Sequence, residues 1–209
     1  MNNNNKLRIL GISGSPRQIA TEHAIEKALD IVKHEYDLET DMFTVRGKSL
    51  KFCIHCDYCV RKQMGCIHED DMLEVYPKMD WADAWILGTP IYHGHISAQL
   101  KTVLDRTRAM VAKKKTVFEN KVGMALGVGG DRNGGQEQAM HTILDFYLIN
   151  EMIPVGGGVF GANFGSTFWS QDKGQQGIEE DQQGLKSMQK TIKRLVQVTH
   201  LVQKGNLSD

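Results

Sequence analysis

All four cysteines of this 209-residue chain fall in one stretch, Cys53-Ile-His-Cys56-Asp-Tyr-Cys59 followed by Cys66. Three thiols repeating every third residue, with a fourth close by, suit a compact polynuclear cluster. A [4Fe–4S] cubane needs four thiolates converging from different directions, and a C-x2-C-x2-C run wraps three of its corners. A structural zinc held by four cysteines is the main alternative, although such sites more usually come as two separate C-x2-C knuckles. Two disulfides are arithmetically possible, but nothing else in the chain points to an oxidising compartment, and a chain of this length does not need staples. His55 and His68 flank the cysteines and read as solvated loop histidines.

A second set of chemical groups is spread over three loops. Ser13, Ser15, Arg17 and Thr21 lie between an apolar run and a helical pattern. Hydroxyls, backbone N–H groups and the positive end of a helix together make an anion site. The loop lacks the Gly-Lys-Ser/Thr of a P-loop and the Gly-x-Gly-x-x-Gly of a dinucleotide fold. One helix N-terminus suits one phosphate, as in a mononucleotide. Pro90-Ile91-Tyr92-His93-Gly94 offers backbone donors and a flat side chain, and Gly129-Gly130-Asp131-Arg132-Asn-Gly-Gly135 lets backbone approach a planar ligand closely. The plain alternatives are simple helix capping for the first loop and a flexible surface turn for the third. His93 and His95 are candidate proton donors.

Positioning these loops requires strands that end where the loops begin. Leu7–Ser13, Leu38–Val45, Ala84–Gly88, Lys121–Val128 and a glycine-broken Ile153–Phe160 read as five strands. Helical patterns separate them: one capped by Thr21, one capped by Asp70 or Asp71, one capped by Ser97, one over Gln136–Ile149, and a last one starting near Asp181 with Leu185, Met188, Ile192, Leu195, Thr199 and Val202 at spacings of three and four. Strands alternating with helices imply a parallel sheet covered on both faces. The expected fold class is α/β: a flavodoxin-like doubly wound five-stranded parallel sheet, order 2-1-3-4-5, with a cysteine-rich loop inserted after strand 2. Ligands of such sheets sit beyond the carboxyl ends of the strands, where loops 13–21, 89–94 and 129–136 converge.

Composition narrows the function. Lys+Arg 25 against Asp+Glu 25 gives no net charge, which argues against a general binder of nucleic acid or anionic membranes. No apolar run approaches the length of a membrane span, and the N-terminal Met-Asn-Asn-Asn-Asn has no apolar core of a secretory signal. The expectation is a cytoplasmic protein with one domain over 1–209, a cysteine loop at about 47–70 and a frayed asparagine run.

With these motifs assembled, the chain resembles the iron–sulfur flavoproteins of methanogens and other anaerobes, the cluster-bearing branch of the NADPH-dependent FMN reductase-like group. The resemblance covers nearly the whole chain and rests on Gly11-Ile-Ser-Gly-Ser-Pro-Arg17, the cysteine motif, Asp70-Asp-Met72, Gly88-Thr-Pro-Ile-Tyr92, Ser97-Ala-Gln-Leu-Lys101 with Asp105-Arg106, and Gly129-Gly-Asp-Arg-Asn-Gly-Gly-Gln-Glu137. Many members of the wider group carry Gly or Asn after Ser-Pro-Arg, where this chain has Gln18-Ile19-Ala20. The resemblance implies that Ser13, Ser15, Arg17 and Thr21 surround the phosphate of FMN. It places Pro90–Gly94 and Gly129–Arg132 along the ribityl chain and isoalloxazine, and a [4Fe–4S] cluster on Cys53, Cys56, Cys59 and Cys66. It further implies a homodimer or homotetramer that takes electrons from ferredoxin and passes them to a small-molecule acceptor. Two other functions fit the residues: an NAD(P)H-dependent FMN or quinone reductase with a structural cysteine loop, and a zinc-stabilised, non-catalytic interaction module.

Overall fold

Two segments are buried at every position: β3 (Ala84–Pro90) and β4 (Val122–Gly129). Strands covered on both faces read this way, because neither pleat meets water. In the computed structural model, which describes residues 6–205, they form the centre of a parallel sheet. The asparagine run Asn2–Asn5 lies outside the described residues. β1 (Arg8–Ser13) pairs with β3 on one side and β2 (Glu39–Thr44) on the other. β5 (Ile153–Val155) pairs with β4 at the opposite edge. The order β2-β1-β3-β4-β5 is the doubly wound order expected from the strand–helix alternation.

Two apolar layers flank the sheet. One packs Ile9, Ile86, Met124 and Leu126 against α1 (Ala20–Tyr36), α7 (Gln175–Glu180) and the long α8 (Gln182–Gly205). The other packs Leu10, Ile12, Trp85 and Leu87 against α3 (Met72–Trp81), α4 (Ala98–Arg106) and α6 (Gln136–Ile149). Two short helices, α2 (Tyr58–Lys62) in the cysteine loop and α5 (Arg108–Lys113) after α4, complete the elements.

The sheet departs from expectation at its β5 edge. The fifth strand stops at Val155, and a sixth, β6 (Ser166–Trp169), takes up pairing with β4 four residues farther along, from Leu126↔Ser166 to Gly129↔Trp169. One position of the sheet is therefore built from two pieces with an excursion between them. Gly156-Gly-Gly158 offers no side chains to pack and ends the first piece, while Thr167, Phe168 and Trp169 are good strand formers. The helix starts differ as well. α1 begins at Ala20, so Thr21 lies buried in its first turn and is not its cap. Ser97 does cap α4: its Oγ accepts the Leu100 N–H at 3.1 Å.

Candidate functional site

The ends of β1, β3 and β4 meet around a cleft of ≈ 470 Å³, within the range of small-ligand sites. Ser15, Arg17 and Thr21 line one side of it, Pro90, Ile91 and Tyr92 a second, and Gly130 and Asp131 a third. The first loop is held from within. Ser15 Oγ accepts the Arg17 N–H at 3.1 Å and donates to the Arg17 carbonyl at 2.9 Å. Ser13, buried at the strand end, accepts the Ser15 N–H at 3.4 Å and so supports the loop from behind the cleft wall. The loop is also tied to its neighbours. The Gly14 N–H donates to the Gly88 carbonyl at 2.8 Å, and Ser97 Oγ donates to the Gly14 carbonyl at 2.6 Å. Arg17 is exposed, and among the described residues its guanidinium has no hydrogen-bond or ion-pair partner. It stands where the first N–H groups of α1 lack intrahelical acceptors. A free cation beside a helix N-terminus is an anion site by charge and by donors.

The second and third loops lock together. Tyr92 and His95 exchange both backbone hydrogen bonds at 3.0 Å around His93 (φ 49°) and Gly94 (φ 78°), a two-residue hairpin with both central residues left-handed. His93 and Gly94 thus form a turn tip outside the cleft lining. Gly135, at φ 101°, approaches this tip so closely that a Cβ there would lie 2.6 Å from the Gly94 Cα. Gln136 fixes the rest of the glycine loop: its side chain donates to the Asp131 carbonyl at 2.5 Å and accepts the Gly134 N–H at 2.8 Å. The Gly129 carbonyl accepts from both the N–H and the Oγ of Ser170, at 2.8 and 3.1 Å. Arg132 turns away from the cleft. It pairs with Asp181 at 2.6 Å, lies 5.3 Å over the Trp169 ring and lines a neighbouring groove of ≈ 710 Å³. Burial pushes the Asp181 carboxyl up, but Arg132 and the N–H groups of Trp169 and Gly184 outweigh it and hold it below the usual carboxylate range.

A fourth wall escaped the sequence reading. Ser170, Asp172 and Gly174, just after β6, complete the cleft, with the Asp172 carboxylate lying against Gly130. Ser-Gln-Asp-Lys-Gly directly after a Thr-Phe-Trp run is a turn signature at a strand end, and that was the available signal.

The cysteine loop leaves β2 and returns to α3 through a closed neck. Arg106, at the end of α4, makes a two-pronged pair with Asp70, its Nη1 and Nη2 donating at 2.8 and 3.0 Å. Both side chains are almost fully buried, at 1% and 2% exposure. Nη1 also donates to the Lys51 carbonyl at 2.6 Å, and Nη2 reaches the His68 carbonyl at 3.4 Å. Asp70 accepts the Lys51 N–H at 2.8 Å and the Met72 N–H at 3.2 Å. Everything from Phe52 to Ile67, all four cysteines included, therefore lies beyond one knot. Breaking a buried pair by removing one partner costs about 3–5 kcal/mol, because the other charge is left unpaired. Burial raises the Asp70 carboxyl and lowers Arg106, and their mutual hydrogen bonds win on both sides, so both stay ionised. Tyr76, whose hydroxyl donates to the Arg106 carbonyl at 3.1 Å, is pushed up to about 12, chiefly by burial.

Within the loop, Cys53, Cys56, Cys59 and Cys66 are half-buried free thiols. Arg108 pairs with Asp57, between Cys56 and Cys59, at 2.6 Å. The bond to Asp57 raises the pKa of Arg108, against burial, which lowers it. Four soft sulfur donors on one anchored loop, with Arg108 held on Asp57 between Cys56 and Cys59, form a donor set suited to an iron–sulfur cluster. Among the described residues no three His, Cys, Asp or Glu side chains are gathered closely enough to hold a metal ion.

Fold and cleft together define a flavodoxin-like protein with a mononucleotide-sized site at the carboxyl edge of its sheet. Residues 7–167 match the NADPH-dependent FMN reductase family. An iron–sulfur flavoprotein of Methanocaldococcus jannaschii is 55% identical over 92% of this chain and 96% of its own, and one of Methanosarcina thermophila is 40% identical over 95% and 98%. The chain belongs to the NADPH-dependent FMN reductase family and, within it, to the iron–sulfur flavoproteins. It is an oxidoreductase. Solved structures bear out the fold: RosB with a bound formylated riboflavin phosphate (TM-score 0.70, 18% identity, 97% of this chain and 81% of that one) and an NADH:FMN oxidoreductase, EMOB (0.62, 20%, 90% and 88%). No helix among the described residues is long and apolar enough to cross a membrane.

Proposed function

We propose that this protein takes single electrons from ferredoxin at a [4Fe–4S] cluster on Cys53, Cys56, Cys59 and Cys66 and delivers them, through FMN, to a small acceptor. The cluster would supply one-electron chemistry and the flavin the pairing of electrons. The observation that carries this reading is the anchored loop: all four thiols of the chain lie beyond one knot, on the segment that follows β2, whose carboxyl end lies beside that of β1. The residues have separate tasks. Arg17 and the N–H groups at the start of α1 hold the phosphate. Pro90–Tyr92 and Gly130–Asp131 flank the ring and shield it from water. Arg106 and Arg108 hold the cysteine loop, which draws its thiols together around the cluster. We read the chain as a homodimer or homotetramer acting in the cytoplasm.

The family description supports a second donor, NADPH, acting on FMN directly with a structural cysteine loop. One experiment separates the two. Protein purified anaerobically should carry about four iron per chain and accept electrons from reduced ferredoxin. Cys59→Ala should keep FMN and lose that activity. Ferredoxin reduction at the wild-type rate in Cys59→Ala, or zinc in place of iron, overturns the proposal and leaves the NADPH reading as the better one.

A further inference from the structure

The junction of α4 and α5 carries two arginines two residues apart, and each holds a different point of the cysteine loop. Arg106 ties its two ends together through Lys51, His68 and Asp70. Arg108 ties its middle through Asp57. Between these points α2 rests on α5, and the stretches on either side of it are exposed. Phe52, Ile54, Met64 and Ile67 are exposed, Met64 at 80%, and Arg61 and Lys62 face solvent. Left-handed residues at His55, Asp57 and Gln63 bend it repeatedly. An unanchored segment of this kind would pay its ordering entropy when it binds a ligand, and fixing its ends and middle in the folded chain moves that cost to folding.

We infer that Arg106 and Arg108 are positioning residues for the four thiols: Arg106 shuts the neck of the 52–67 loop, and Arg108 pins Asp57, so that Cys53, Cys56, Cys59 and Cys66 lie on one loop held at its ends and middle, from which they close on the cluster when it binds. The same side chains fix two positive charges on the cysteine segment, one at Asp57 between Cys56 and Cys59 and one at its neck. A thiolate-bound cluster gains a negative charge on reduction, so a cation next to it favours the reduced form. Arg108, on the more exposed of the two pairs, sets potential more than retention. Arg106, buried in the knot, sets retention. The iron readouts rest on the cluster reading of the cysteines; the proteolysis readout does not.

The test uses full-length protein purified anaerobically, with Arg106→Lys, Asp70→Asn, Arg108→Gln and, as a control on the same helix, Lys101→Gln, which removes the exposed Lys101–Asp105 pair. Trypsin should cut after Arg61 and Lys62 about tenfold faster in Arg106→Lys and Asp70→Asn than in wild type, while circular dichroism and bound FMN stay the same. Iron should pass to a chelator about tenfold faster in those two variants, the scale on which partners behind metal ligands act. Arg108→Gln should keep most of its iron and show a more negative cluster potential. Lys101→Gln should match wild type throughout. If Arg106→Lys fails to fold, Asp70→Asn and Arg108→Gln carry the test. Folded Asp70→Asn and Arg108→Gln with wild-type cleavage, iron loss and potential overturn the inference. A wild-type protein without iron whose cleavage still depends on Arg106 and Asp70 overturns the cluster reading alone and supports the clamp.

Discussion

Replacing Gly135 by alanine should separate the two loops that wall the cleft. Gly135 has φ 101° and ψ 16°, a left-handed conformation that costs an L-residue about 1–2 kcal/mol. A Cβ there would also lie 2.6 Å from the Gly94 Cα and 3.0 Å from its carbonyl oxygen. Both neighbours are backbone atoms, so neither can rotate away. The 90–94 and 129–135 loops must part by about 1 Å to restore ordinary contact near 3.5 Å, and overpacking of this kind costs about 1–3 kcal/mol. Gly135→Ala should therefore lose about 2–5 kcal/mol. Gly94→Ala isolates the first contribution. Its φ is 78°, but nothing lies within 4 Å of the added carbon, so it should lose only the backbone cost of about 1–2 kcal/mol. Urea unfolding of the FMN-free variants measures the difference. Flavin fluorescence then measures binding, where each 1.4 kcal/mol spent on moving the walls weakens FMN about tenfold. Equal destabilisation by the two substitutions, or wild-type FMN affinity in Gly135→Ala, would refute the idea that the glycine contact sets the cleft.

Arg17→Ala should weaken FMN by roughly 1.5–3 kcal/mol, the value of a charge-assisted hydrogen bond, and equilibrium dialysis against FMN and FAD should show a preference for the single phosphate; release of FAD on heat denaturation counts against it. Acid should loosen the neck of the cysteine loop. Asp70 is held below its usual value of 3.8, so its contribution is complete above that value and is lost as pH falls below it. The stability difference between wild type and Asp70→Asn should be constant from pH 7 to pH 5 and shrink below about 4, as read from urea midpoints; a difference that shrinks above pH 5 would assign it to another group. Sedimentation at micromolar concentration should show at least a dimer, and a monomer there would remove the oligomer from the proposal.

The sheet order was legible because each strand is a short apolar run closed by Gly, Ser or Pro, and each helix carries its own period. The cleft was legible for the same reason: its loops follow strands that can be found one at a time. What failed was non-local. Nothing in Ile153–Phe160 announces that β6 will replace β5 along the same edge, because that outcome is decided by pairing with Leu126–Gly129. Arg132 looked like a flavin contact by its place in a glycine loop, and Asp181, far along the chain, draws it elsewhere. Thr21 has the right side chain for a cap, yet the helix starts one residue earlier and uses it as a buried first-turn residue.

Arg106 shows how much a correct local reading leaves out. As a marker it was visible beside Asp105, and Asp70 was visible as a helix-start residue. Their pairing was not, because it depends on where α4 ends relative to the cysteine loop. The fold fixes that relation through the other end of the helix. Ser97, the cap of α4, is bonded to the Gly14 carbonyl of the loop after β1 and accepts Leu100, and its own N–H donates to Thr89 at the end of β3. α4 is thus a strut about 13 Å long at 1.5 Å per residue, with the loop after β1 at its first residue and the knot of the cysteine loop at its last. A side chain at either end acts on a loop that the sequence separates from it by tens of residues. The two sites therefore share one rigid element, and the cysteine loop is placed by α4 rather than by the edge strand from which it emerges.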